Sequence, residues 1–258
     1  MHRLPSARRR HLRHIILDED FASVSNPEQH SQGLVAFCNQ IPALVVERRV
    51  GLLRNIFPGG LEAITCRYVD FFKGDQYLEE MVLWIETAKA LIAQGMPRER
   101  FELVIDSTTV EAAWGWRLLR RAARLQDGMM NWCRIHGIRP HDIEHDGNYP
   151  SGRFALPWHL PPGFSSTIRD IVQGTSIIRV KGNVGDLWDQ DSLYHITKNH
   201  NLAQWRQEWG EGVVGTSRDT VSPHLLLQPY SIRPCGFKST HKILRNGEVI
   251  QEVQQLYW

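Results

Sequence analysis

The sequence predicts a mixed α/β chain, an irregular β/α stack that ends in a β-hairpin, with a leucine-rich-repeat-like stack as an open variant. Three observations predict it. Across residues 1–140, short β-branched runs alternate with helical stripes of apolar residues, the texture of a parallel sheet or open stack. No clean repeat of about 20–50 residues is visible, which argues against a regular solenoid. Near the end, Arg245-Asn246-Gly247-Glu248 carries a strong type I′ turn signal, because both central residues must accept positive φ. The expected organisation is one α/β domain over 1–258, looser from residue 141.

Taken in order, HLRHIIL at 11–17 reads as a strand, with Ile15 and Leu17 on one face and Leu12, His14 and Ile16 on the other; the acids that follow are expected to stop it. Ser25-Asn26-Pro27-Glu28 then supplies a cap, a proline at the first helical position and an early acid, and Leu34, Phe37, Cys38 and Ile41 follow at helical spacing. Residues 43–57 read two ways, ALVVERRV as strand and VGLLRNIF as helix, before Pro58-Gly59-Gly60 ends the segment. AITCRYVDF at 63–71 is a further predicted strand.

A helix over 76–94 follows. Asp75 is its expected cap, and Glu79 and Glu80 suit the positive end of its dipole. Leu78, Met81, Val82, Ile85, Ala88 and Ile92 form its apolar stripe, and Gly95 and Pro97 stop it. FELVID at 101–106 is the next strand. Thr108 and Glu111 then have capping-box spacing for a long helix with Trp114, Leu118, Ala122, Leu125, Met129 and Trp132 on its stripe, closed by Gly137 and Pro140. Residues 141–167 read as a long loop, TIRDIVQG as a short helix, TSIIRV as a strand and 186–209 as one or two helices. In the hairpin, Leu244 is expected to face Val249, and Ile243 to face Ile250.

Composition narrows the function classes. The chain is 42% hydrophobic and 22% charged, enough to bury a core, and its net charge of +2 gives no global field for nucleic acid or membrane. The arginine run Arg3, Arg8, Arg9, Arg10 and Arg13 reads as a solvated edge more readily than a nucleic-acid patch. Cys38, Cys66, Cys133 and Cys235 form no C-x-x-C pair and sit among apolar residues, as buried free thiols in a reducing compartment would. No secretory signal and no apolar run of about 18 residues are found, so a cytoplasmic or nuclear protein is expected, with no membrane partner.

Few residues suggest chemistry. His141, Asp142, Glu144 and His145 crowd HDIEHDGNYP, and on a helix the two histidines would share a face that could hold zinc. The metalloprotease pattern needs Glu directly after the first His, where Asp142 stands, and a third ligand would have to come from His159 or Asp186. A polar loop is the favoured reading and a metal-dependent hydrolase the alternative; no cofactor is expected. KGNVGDLWD at 181–189 follows a predicted strand, but Gly182 and Gly185 fit neither a P-loop nor a dinucleotide fingerprint, which leaves a strand-to-helix turn. Cys38 and Cys133 lie in apolar stripes and read as core. So do Trp84, Trp114 and Trp132, and packing is favoured over recognition for Trp188, Trp205 and Trp209. The best surface feature is Arg117, Arg120, Arg121 and Arg124, a flanking face of the long helix that would suit phosphate or an acidic peptide.

The stretch 12–57, with its strand ending in acids, Asn26-Pro27-Glu28, His30, Gly33, Phe37-Cys38 and Glu47-Arg48-Arg49, resembles the region that follows the F-box in fungal F-box-like proteins. The resemblance implies a non-catalytic, intracellular module that presents a substrate protein, and it implies no catalytic residues. Leu4-Pro5 is followed by arginines and a strand-like run, so no F-box is visible and docking to the Skp-type adaptor is not expected. A different, unidentified protein partner is. A nucleic-acid binder working through the arginine clusters is the further alternative.

Overall fold

The computed structural model describes residues 11–19, 27–51, 74–140, 143, 154, 156–214, 237–245 and 248–257. Four strands, β1 (His14–Glu19), β2 (Val45–Gly51), β3 (Phe101–Asp106) and β4 (Ile178–Lys181), pair in parallel. Two more, β5 (Phe237–Arg245) and β6 (Glu248–Tyr257), form an antiparallel hairpin that joins the sheet through β5 against β1. The spatial order is β4-β3-β2-β1-β5-β6, a mixed α/β architecture. The parallel strands follow one another in chain order, as in a stack. Their connections have no common unit, since the helices between them run from 6 to 27 residues.

Right-handed crossovers that always step the same way place their helices on one face of a sheet. Burial agrees. On β2, Val46, Arg48 and Val50 are buried, and so are Phe101, Leu103 and Ile105 on β3 and Ile178 and Val180 on β4. On the other face Val104 is buried as well, while Glu47, Arg49, Glu102, Asp106, Arg179 and Lys181 form ion pairs. Register sets Glu47 beside Glu102, and Arg179 offsets their repulsion by donating to both Glu102 oxygens (2.9 and 3.2 Å) while lying 3.7 Å from Glu47. Lys181 Nζ lies 2.9 Å from Asp106. Burial works to raise the Asp106 carboxyl, but hydrogen bonds from Thr108 and Lys181 outweigh it and hold it below its ordinary value.

A 3-10 segment (Pro27–Leu34) and α1 (Val35–Gln40) link β1 to β2. The expected helix is therefore 3-10 for its first part, while Phe37, Cys38 and Ile41 are buried as their spacing predicts. Strand β1 runs through Asp18 to Glu19, because pairing with β2 continues to Val50 and outweighs the poor strand propensity of the acids. The ambiguous segment is strand at 45–51; the expected strand at 63–71 and residues 52–57 lie outside the described residues.

Helix α2 (Gly74–Ala93) takes Asp75 into its first turn, where the sequence suggested a cap. Leu78, Met81, Val82, Ile85 and Ala88 are buried, and Ile92 packs at the margin. Ile85 is fully buried, so Ile85→Ala is expected to cost about 2–5 kcal/mol in a urea melt, the usual cost of truncating a packed aliphatic side chain. A loss below about 0.5 kcal/mol would contradict the packing.

Helix α3 (Val110–His136) is the spine of the helical layer. Its cap is Thr109, whose side chain accepts from Ala112 N, one residue later than the Thr108–Glu111 spacing suggested; Thr108 instead turns back and donates to Asp106. Gly137 closes the helix in the left-handed conformation, φ 66°. The buried stripe is broader than the sequence pattern, adding Trp116, Leu119 and Ala123. Part of the expected 141–167 loop is tied to it: buried Gln126 donates to the carbonyls of Leu160 (3.2 Å) and Pro161 (3.0 Å) and accepts from Ser165 N (2.9 Å). Helices α4 (Phe164–Gln173), α5 (Gln190–Thr197) and α6 (Leu202–Trp209) complete the layer. Trp205 and Trp209 are buried anchors, as favoured. Burial raises both the Cys38 and Cys133 thiols, in keeping with core positions, although Arg100 opposes this at Cys38.

The hairpin pairs Arg245 with Glu248 and Leu244 with Val249. Ile243 pairs with Gln251 and not with Ile250, because a register shift between Ile243 and Leu244 inserts an extra residue in β6.

Candidate functional site: an arginine-lined cleft

The four arginines of α3 come together with the segment that follows β4. Arg117, Arg120, Arg121 and Arg124 line one wall of a cleft of about 720 Å³, and residues 186–188 and helix α5 form the opposite wall. The loop from β4 to α5, residues 182–189, crosses α3 because Trp116 Nε1 donates to the Val184 carbonyl (3.1 Å). It is pinned again where Asp127 accepts from Trp188 Nε1 (3.0 Å), Gln190 Nε2 (3.2 Å) and Arg169. The Arg169 guanidinium lies 4.9 Å from the Trp188 ring centroid, covering one face of the indole.

Two glycines make room for the cations. At Gly185, φ 65°, a Cβ would stand 1.7 Å from Arg120 Nη1, and at Gly212 one would stand 2.2 Å from Arg121 Nε. Arg120 is half-buried and donates to the Asp186 carbonyl. Burial lowers its guanidinium from the ordinary value, and the Asp186 charge opposes that. Arg117, Arg121 and Arg124 are exposed, and among the described residues none has an ion-pair partner. Two acids reach the cleft: Asp186, beside Arg120, and Glu208, whose Oε1 lies 2.8 Å from His200 Nε2. Apart from Thr197 the remaining lining is apolar, and Leu187 and Ile196 are exposed within it.

A second cleft, of about 780 Å³, lies beyond Leu193, where Arg134 is the one cation among the lining residues and Asp127 and Asp191 offset it. The surplus of positive charge therefore belongs to the first cleft. There a ligand would meet guanidiniums able to make bidentate, charge-assisted hydrogen bonds, next to an apolar wall.

The metal-ligand candidates His141, Asp142, Glu144 and His145 lie outside the described residues. Among the described residues no group of three or more His, Cys, Asp or Glu is arranged to hold a metal ion, and Asp186, suggested as a third ligand, sits instead against Arg120. No described helix is long and apolar enough to cross a membrane. Sequence reading missed Leu187, Ile196 and Glu208 as parts of the site. The available signal is Gly185, whose missing side chain leaves room for the Arg120 guanidinium against the backbone. Comparison with family models, curated proteins and solved structures finds no match to this chain.

Proposed function

We propose that this chain is a non-catalytic protein-interaction module, similar to the substrate-facing part of F-box-like proteins, that engages its partner through the arginine-lined cleft of α3. One observation carries the reading: three exposed guanidiniums without an ion-pair partner among the described residues line a single cleft whose opposite wall exposes Leu187 and Ile196. Charge there steers encounter and fixes register, while apolar contact adds affinity. Nucleic acid is disfavoured by Trp188: with one face covered by Arg169 and its N–H given to Asp127, it is a poor stacking platform for bases.

A photo-crosslinking amino acid at position 196 tests this in an extract of the source cells, with the exposed position 99, outside the cleft lining, as control. A discrete protein adduct is expected from position 196 alone. It should fall about tenfold or more in the triple variant Arg117→Glu, Arg121→Glu, Arg124→Glu and weaken as salt screens the cleft. Adducts indifferent to charge reversal would overturn the reading, and nuclease-sensitive adducts would replace it with nucleic-acid binding.

A further inference from the structure

We infer that the occupant of the cleft is an extended segment of the partner with alternating acidic, apolar and acidic side chains, a deduction that rests on reading the cleft as a docking site. The first observation is the arrangement of the cations. Arg117, Arg121 and Arg124 are four and three residues apart on α3, so they form a row with axial steps of roughly 6 and 4.5 Å. A row suits several single charges spread along a segment. One dianion would leave part of the row without a counter-charge. The acids of the cleft point the same way: Asp186 and Glu208 lower the positive surplus and penalise a dense charge more than separated carboxylates.

The second observation is spacing. In an extended segment alternate side chains recur about every 6.5–7 Å on the same side, close to the Arg117–Arg121 step.

The third is that the walls differ. The α3 wall is cationic, and the opposite wall offers Leu187, Leu193 and Ile196. In an extended chain, successive side chains point to opposite sides. Two acids directed at α3 therefore send the residue between them to the apolar wall.

Fluorescence anisotropy with the full chain tests this, using labelled peptides that have fixed cores between degenerate flanks. A Glu-Leu-Glu core should bind saturably. Gln-Leu-Gln should be weaker by about tenfold or more, since each lost carboxylate removes a charge-assisted pair. Glu-Ser-Glu should be weaker by about fivefold, the loss expected from one partly buried aliphatic side chain. The permuted core Leu-Glu-Glu should also bind less well. Arg121→Ala with Arg124→Ala should abolish the preference for acids without changing the melting temperature, because both side chains are exposed. Ile196→Ser should bring Glu-Leu-Glu down to the Glu-Ser-Glu level and leave Glu-Ser-Glu unchanged.

Equal binding of the permuted core would overturn the alternation. A peptide centred on phosphoserine that binds more tightly than Glu-Leu-Glu would overturn the row of single charges. Failure of every acidic core to bind would overturn the inference as a whole. The crosslinking at position 196 decides independently whether the cleft docks a protein at all.

Discussion

Replacing Arg48 with alanine is expected to destabilise the fold by about 3–5 kcal/mol in a urea melt, the scale seen when one member of a buried charged network is removed. Arg48 is 1% exposed. Its Nη1 donates to the Glu28 carbonyl (3.3 Å) and to Ser31 Oγ (3.1 Å), and its guanidinium lies 4.6 Å from the Trp84 ring centroid. It thus ties the 3-10 segment after β1 to the underside of α2. Alanine would remove the stem that fills this space and leave the buried Ser31 and Glu28 groups without their donor. Arg48→Met keeps most of the volume without the charge, and a well-packed apolar replacement of a buried ion is often nearly neutral. It should recover at least half of the loss. Equal damage from both variants would show that the hydrogen bonds and the cation, not the packing, hold this corner. An alanine effect under about 1 kcal/mol would mean that water reaches Arg48.

Trp116→Ala should have an effect of similar size, about 3–5 kcal/mol, and should disable the cleft as well. Trp116 is among the largest fully buried side chains, and its indole N–H holds the Val184 carbonyl, so it is both core and the hook for the loop that forms the opposite wall. Trp116→Phe separates the two roles. It preserves most of the apolar burial, so stability should fall by only about 1–2 kcal/mol, while the lost donor frees residues 184–188. The expected signature is a Phe variant that melts close to the wild type but crosslinks poorly from position 196. A Phe variant with an intact cleft would show that the Asp127 contacts to Trp188 and Gln190 suffice to position the loop.

Strand, helix and hairpin were legible wherever local pattern and tertiary context agreed. FELVID is β3 residue for residue, and the stripe of α2 is buried as its spacing requires. Reading failed where non-local pairing decides. The acids at Asp18 and Glu19 continue β1 because β2 pairs with them, and no propensity in β1 itself announces that. Arg48 and Arg49 look alike in sequence, yet alternation sends one side chain under α2 and leaves the other 43% exposed beside Glu47. The register shift in β6 likewise has no turn residue to mark it. For the cleft, the arginine row was legible from helical spacing alone. Its opposite wall was not, because residues 186–188 and 196 lie more than sixty positions along the chain from the row and reach it only through Trp116 and Asp127.

The position of β1 has a consequence for how the chain is made. Residues 14–18 pair on one side with 45–49 and on the other with 240–244. At translation rates of about 5–20 residues per second, the first neighbour follows within seconds, whereas the second arrives roughly 10–45 s later. Throughout that interval the nascent β1 shows a bare hydrogen-bonding edge with Ile15, Ile16 and Leu17 in sequence, the kind of edge that recruits foreign strands. Topology of this sort is slow to close, because the loop entropy across the whole domain comes due before the last pairing forms. Vectorial synthesis therefore leaves the centre of the sheet as the last edge to be sealed, and folding yield should depend on how well that edge is shielded until residues 237–245 emerge.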